Sequence, residues 1–92
     1  MNKRLAERTD PEILAELGRR LAWVRDSVDM NQEAAAARAG LNRTTVSRAE
    51  RGENPTLLTV VRLLRVYGRL ASLDAFIPEP EVSPMALIRG GR

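Results

Sequence analysis

Side chains that can read the edges of a base pair are concentrated in one short segment, residues 42–51. The hydrogen-bonding members of this segment are Arg43, Thr44, Thr45, Ser47, Arg48 and Arg51. A guanidinium donates two parallel hydrogen bonds, which match the O6 and N7 atoms of guanine or the oxygens of a phosphate, and a threonine methyl can contact thymine. Residues 38–69 hold seven arginines and only two acids, Glu50 and Glu53. This local charge indicates a polyanion binder, although on charge alone an ordinary solvated face is an equal alternative.

The composition excludes several other classes of function. The chain has 92 residues, with no cysteine and no histidine, so it has no disulfide, no thiol nucleophile and no imidazole base. We also find no glycine-rich phosphate loop and no pair of carboxylates in an apolar setting, which argues against an enzyme. We therefore expect no cofactor and no metal. No apolar run reaches the roughly 18 residues of a membrane span, so we expect a cytoplasmic, nucleoid-associated protein without a membrane partner.

The periodicity of apolar residues predicts an all-α chain with five helices. The first should have Asp10 as its N-cap, begin at Pro11 and run to about Ser27. The others should cover residues 32–39, residues 43–51, the segment from Thr56 up to Gly68, and residues 71–76. We expect a basic leader at 1–9, one domain at 10–77, and an extended proline-rich C-terminal tail at 78–92.

Residues 32–51 have the sequence form of a helix-turn-helix. Alanines at 35, 36 and 39 let two helices cross closely, and Gly40 suits the left-handed turn between them. Leu41 and Val46 supply the apolar contact that fixes the crossing. The second helix then has a polar outer side.

Residues 31–55, NQEAAAARAGLNRTTVSRAERGENP, resemble the lambda-repressor/Cro type of helix-turn-helix, the XRE family. The resemblance extends over residues 14–68 and implies a lambda-repressor-like five-helix DNA-binding domain. The implied partner is double-stranded operator DNA. Asp29 departs from the family, which usually has glycine there, and should adopt a strained turn conformation. Ala35 replaces a more common leucine and should make the core slimmer.

The resemblance implies a role for each matching residue. Asn31 and Gln32 should lie at the DNA backbone, with Gln32 also supporting a base-reading side chain. Arg43 and Thr44 should be the main base readers, with Ser47 and Arg48 one turn further on. Thr45 and Arg51 complete the expected DNA-binding set. We expect G·C pairs in the half-site, and we expect Arg51 to act on all sequences alike through phosphate.

Arg25 and Glu50 match a pair that in this family links the first helix to the end of the recognition helix. We interpret the pair as structural rather than as a reader. If it is deeply buried, loss of one partner should cost about 3–5 kcal/mol. The alternative is a surface pair worth under about 1 kcal/mol.

Apolar residues beyond the fourth helix exceed what a monomer of this size needs. Leu70, Leu73, Phe76 and Ile77 therefore predict a homodimer interface, and the alternative is that they complete the monomer core. Trp23 lies off the apolar stripe of the first helix. We expect the leader to cover it, with a role as a partner anchor as the alternative.

The tail, with its Pro-Glu-Pro and Ser-Pro-hydrophobic runs, resembles that of HipB-type antitoxins. Such proteins repress their own operon and bind a HipA-type toxin kinase. The leading hypothesis is thus a repressor that binds a palindrome as a dimer, with an autorepressing antitoxin as its more specific form. The alternative is a protein-interaction module that neutralises a kinase-type toxin, with DNA binding secondary.

Overall fold

A computed structural model describes residues 4–80, and within this range all regular structure is helical. A single 3₁₀ turn, Leu5–Glu7, precedes five α-helices. These are α1 (Asp10–Ser27), α2 (Gln32–Ala39), α3 (Arg43–Glu50), α4 (Leu57–Val66) and α5 (Ser72–Phe76). The predicted all-α, five-helix class is confirmed. The tail from residue 81 onwards lies outside the described residues, as do residues 1–3.

The start of α1 differs from the prediction by one residue. Thr9, not Asp10, is the N-cap: its hydroxyl accepts a hydrogen bond from the amide of Glu12, and the Glu12 carboxylate accepts one from the amide of Thr9. This reciprocal capping box satisfies two amides that the helix itself leaves without partners. Pro11 consequently occupies the second helical position, where its missing N–H costs nothing.

The turn between α2 and α3 has the predicted conformation. Asn31 caps α2 by accepting a 2.8 Å hydrogen bond from the amide of Ala34. Gly40 ends that helix in the left-handed region with φ +69°, and its amide donates to the carbonyl of Ala36. Asn42 stands at the N-cap of α3, but its side chain makes no capping hydrogen bond.

A small core forms where α1 to α4 meet. Its fully buried members are mostly short side chains: Leu21, Ala35, Ala36, Ala39, Val46, Ala49, Leu63 and Tyr67. Four of the eight are alanines, so the helices gain contact through close approach of their backbones rather than through side-chain volume. Leu63 and Val46 are the largest side chains that are wholly enclosed.

Two glycines fix how α1 lies across the end of α3. A methyl group on Gly18 of α1 would lie 2.5 Å from the carbonyl oxygen of Glu50, closer than any real contact. A methyl group on Gly52 would lie 2.6 Å from the backbone carbonyl of Leu14, and Gly52 also has φ +74°. The two backbones therefore touch directly, which sets the position of α3 against α1.

Two other expectations concern single residues. Asp29 has φ +58°, the strained left-handed conformation predicted for it. Trp23 is 62% exposed, so the expectation that the leader covers it is wrong. Its side chain lies on the side of α1 away from α3, because α1 contacts α3 at Gly18, which is five residues earlier and faces the other way.

Candidate nucleic-acid interface

α3 divides into a buried side and an exposed side. Val46 and Ala49 face the core and are 0% and 1% exposed. Thr44 and Arg48 are exposed on the opposite side, and because they are four residues apart they share one face over two turns. Arg43, also exposed, begins the helix beside them. The helix thus presents a polar, cationic surface to solvent.

A buried ion pair holds the C-terminal end of this helix. The Nε and Nη2 atoms of Arg25 donate to the two carboxylate oxygens of Glu50 at 2.7 and 3.1 Å. The side chains are 13% and 6% exposed. The third arginine nitrogen donates at 2.7 Å to the carbonyl of Met30, in the turn before α2. The hydrogen bonds to Glu50 raise the pKa of Arg25 above its ordinary value, outweighing the opposing effect of burial. The pair therefore ties together α1, the turn and α3.

Gln32 extends the pair towards the exposed side of α3. Its amide nitrogen donates at 2.8 Å to a carboxylate oxygen of Glu50. A carboxylate can only accept, so this bond fixes the orientation of the amide and leaves the amide oxygen pointing away from Glu50. That oxygen accepts a 3.3 Å hydrogen bond from the guanidinium of Arg43. A continuous path of hydrogen bonds thus runs from Arg25 to the first residue of α3.

The hydroxyl of Tyr67 lies against the same pair without a hydrogen-bond partner of its own. Tyr67 is 4% exposed, and burial, reinforced by the charge of Glu50, raises its pKa to about 12. The nearby charge of Arg25 acts in the opposite direction. The neutral hydroxyl is therefore the form that the fold accommodates.

A second, exposed pair lies beyond the end of α3. Nε of Arg51 donates at 2.6 Å to Glu53, and the Nη1 atom of Arg51 donates at 2.6 Å to the hydroxyl of Ser47. Glu53 also lies 4.0 Å from Nε of Arg48. The hydrogen bond to Glu53 raises the pKa of Arg51, and the same bond lowers that of Glu53. Both groups are charged at neutral pH.

Several of the predicted site residues line two shallow depressions. One is lined by Arg25, Asn31, Gln32, Glu33 and Arg43. The other contains Thr45 and Arg48 together with Glu53 and the loop that precedes α4. The structure therefore brings the N-terminal ends of α2 and α3 together, and it places Arg48 and Arg51 at the other end of α3.

Sequence reasoning missed a cluster of charges on α1. The carboxylate of Glu16 accepts hydrogen bonds from Arg19 and Arg20, and Arg8 of the leader lies 3.6 Å away. The arginine hydrogen bonds lower the pKa of Glu16 to about 2. The spacing of Glu16, Arg19 and Arg20 at i, i+3 and i+4 was a usable signal, because such residues are neighbours on a helix surface. The long-range contact with Arg8 had no such signal.

Comparison with known proteins agrees with this geometry. A family model described as helix-turn-helix matches residues 21–71, more than half of the chain. The chain belongs to the XRE-type helix-turn-helix family. The match covers the C-terminal part of α1 from Leu21 onwards, both helices of the motif and all of α4. The XRE-type assignment makes the protein a DNA-binding transcriptional regulator. A comparison with curated proteins finds no match.

Two observations complete the description of this helix-turn-helix protein. Among the residues that the structure describes, no helix has the length and apolar character needed to cross a membrane. Within residues 4–80 there is also no group of three or more acidic side chains arranged to hold a metal ion.

Proposed function

We propose that the protein is a transcriptional repressor that binds a palindromic operator as a homodimer, with α3 in the major groove. One observation carries this proposal. The outer side of α3 is polar and cationic, while its inner side is fixed by the buried Arg25–Glu50 pair. A helix that is rigid on one side and rich in donors on the other meets the requirements for direct readout of base edges.

Arg43 and Thr44 are the proposed main readers, followed by Ser47 and Arg48 one turn later. Arg43 begins the helix and is oriented by Gln32, so its guanidinium starts from a preferred direction. Arg48 is exposed and projects from the next turn. Each bidentate arginine contact to guanine contributes about 1–3 kcal/mol of discrimination, which favours G·C pairs in the half-site.

Contacts to the DNA backbone are assigned to residues at the edges of the motif. Asn31 and Gln32 are proposed to lie against one phosphate at the start of α2, where the helix dipole favours an anion. Thr45 and Arg51 are proposed to lie against the backbone at the other side of α3. These contacts position the protein without carrying sequence information.

The test is a titration of the protein against its own upstream DNA by fluorescence anisotropy. Selection of bound duplexes from a random library then gives the base preference at each position. We expect Arg43→Ala to relax the preference at one position of each half-site, and Arg48→Ala to relax it at a neighbouring one. Arg20→Ala, on the outer side of α1, is the matched control and should leave the preference unchanged. Failure of the wild-type protein to bind any upstream palindrome at moderate salt would contradict the proposal.

The homodimer is supported by apolar side chains left in solvent at the end of the domain. Phe76 and Ile77 are 56% and 71% exposed, which argues against the alternative that they complete the monomer core. Leu70 and Leu73 beside them are half-buried. A two-fold dimer would place two recognition helices about 34 Å apart, one turn of duplex.

Sedimentation equilibrium tests the dimer. Phe76→Asp combined with Ile77→Asp should give monomers and weaken operator binding, because both half-sites must be occupied by one dimer. Trp23→Asp removes an equally exposed aromatic from α1 and should leave the dimer intact. A wild-type monomer at all accessible concentrations would contradict the assignment.

The finer function is an autorepressing antitoxin of HipB type, and the second candidate is a module whose main task is to neutralise a kinase-type toxin. The sequence of residues 78–92 supports both. Co-expression with the neighbouring gene product tests them: a kinase-fold partner that co-purifies, and is lost on deleting residues 78–92, would support toxin binding. An operator affinity that the partner leaves unchanged would favour the second candidate over autorepression.

A further inference from the structure

The position of Glu53 is fixed by the backbone that ends α3. Gly52 takes the left-handed conformation, its amide donates to the carbonyl of Ala49 at 3.0 Å, and the amide of Glu53 donates to the carbonyl of Arg48 at 2.9 Å. These two backbone hydrogen bonds form the Schellman motif at the helix C-terminus. Because Gly52 is also pressed against the backbone of Leu14, the cap cannot shift without moving α1. Glu53 is therefore anchored on a rigid turn rather than on a mobile loop.

From this turn the carboxylate of Glu53 reaches the cationic side of α3. It accepts a 2.6 Å hydrogen bond from Arg51 and lies 4.0 Å from the nearest nitrogen of Arg48. It also lines the depression that contains Thr45 and Arg48. Both arginines are more than half exposed, so neither contact is needed to compensate for burial.

A carboxylate in this place opposes the binding of phosphate. A guanidinium that donates to a carboxylate must give up or share those donors before it can bind a phosphate oxygen in the same way. The hydrogen bond from Arg51, together with the charges of Arg51 and Arg48, keeps the pKa of Glu53 below its usual value, so the carboxylate stays ionised at neutral pH. A negative charge on the DNA-facing side also repels the duplex directly.

We propose that Glu53 weakens the sequence-independent binding of DNA. Its carboxylate holds Arg51 and faces Arg48, and it thereby lowers the affinity of the protein for the phosphate backbone. Binding to non-operator DNA depends almost wholly on this electrostatic contribution, whereas operator binding also draws on base contacts. Weaker phosphate contacts therefore remove a larger share of the total affinity from non-operator DNA than from the operator. The inference rests on the proposed DNA-binding function.

The experiment compares Glu53→Gln with Glu79→Gln, which removes the same charge from an exposed position outside α3 and its cap. Affinity for a labelled duplex of arbitrary sequence is measured by fluorescence anisotropy over a series of salt concentrations. We expect E53Q to bind several-fold more tightly than wild type at about 0.1 M salt. Its plot of log affinity against log salt concentration should also be steeper by about 0.9, the value for one additional phosphate contact. E79Q should show little of either change. In an Arg51→Ala background, E53Q should have a much smaller effect.

The alternative results are distinct. Equal effects of E53Q and E79Q would show only a change of net charge and would overturn the role of Glu53. Weaker binding by E53Q would also overturn it, because Glu53 would then be orienting Arg51 towards phosphate. A gain in E53Q that persists undiminished without Arg51 would rule out the pair as its origin. If neither wild type nor E53Q bound any duplex, the proposed DNA-binding function itself would be contradicted. If both bound equally well, only the role of Glu53 would be contradicted.

Discussion

Two arginine–glutamate pairs lie at the same end of α3 and have almost the same shortest distance between their charged atoms. Nε of Arg25 lies 2.7 Å from Glu50, and Nε of Arg51 lies 2.6 Å from Glu53. Their surroundings are opposite. The side chains of the first pair are 13% and 6% exposed, and those of the second are 56% and 50% exposed.

Solvation, rather than distance, separates the tasks of the two pairs. In the buried pair both charges are largely shielded from water, so each partner needs the other. In the exposed pair water replaces either partner at little cost. The buried pair can therefore fix the position of a helix, and the exposed pair remains available for exchange with an external anion.

The largest expected difference comes from removing the acid of each pair. Glu50→Ala leaves the buried guanidinium of Arg25 without its main partner, and we expect it to lower the free energy of unfolding by about 3–5 kcal/mol. Glu53→Ala, at the exposed pair, should change it by less than about 1 kcal/mol. Urea denaturation followed by circular dichroism measures both. Similar losses of unfolding free energy in the two variants would contradict this division of roles between the buried and the exposed pair.

Gly18→Ala tests the backbone contact behind the buried pair. The added methyl would meet the carbonyl oxygen of Glu50, so we expect a loss of about 1–3 kcal/mol, as for overpacking. Gly40→Ala is the contrast, since nothing lies within 4 Å of its added methyl and only the left-handed φ opposes the substitution. An increase in the stability of G18A, the usual effect of replacing glycine within a helix, would contradict the close contact.

Tyr67→Phe removes a hydroxyl that lies beside the buried pair without a partner. We expect stability to rise by about 1 kcal/mol at neutral pH, because the fold no longer buries an unsatisfied polar group. The folded state raises the pKa of Tyr67 to about 12 and so favours its neutral form, whereas in the unfolded chain the tyrosine ionises from about pH 10. The wild-type protein should therefore lose stability between about pH 10 and pH 12. Y67F should lack this alkaline loss. Thermal melts at pH 7 and pH 11 measure both effects, and a destabilised Y67F would point to a hydrogen bond of the hydroxyl.

The smallest expected change in stability belongs to Arg51→Ala. Its side chain is more than half exposed, so unfolding free energy should stay within about 0.5 kcal/mol of wild type. DNA binding should nevertheless weaken for all sequences alike, with a flatter dependence on salt. A changed base preference in R51A would show that Arg51 reads bases rather than contacting the DNA backbone.

Local signals predicted the helices well because they depend on near neighbours. α2 has the expected bounds, and the ends at Gly40 and Gly52 follow from the ease with which glycine adopts positive φ. The misplaced N-cap at Asp10 shows two local signals in competition: the proline favoured Asp10, and the Thr9–Glu12 capping box prevailed. The capping box satisfies two amides, whereas a proline is tolerated at either position.

Contacts between distant residues were harder to predict. The Arg25–Glu50 pair came from the family resemblance, since nothing local joins residues 25 positions apart. The role of Gly18 was missed because a glycine inside a helix shows no sign of the backbone that approaches it. The exposure of Trp23 was missed for a related reason. Whether a leader folds over a helix depends on tertiary packing, which the periodicity of apolar residues does not indicate.

The division of α3 into a fixed inner side and an outer side in solvent has a consequence for evolution and for engineering. Val46 and Ala49 carry the packing, and the exposed Arg43, Thr44 and Arg48 contribute little to it. Substitutions at these outer positions should therefore be nearly neutral for folding while they change the preferred operator. A lineage of duplicated copies could diverge in target sequence without passing through unstable intermediates, and a designer could graft a new reading surface onto the same scaffold.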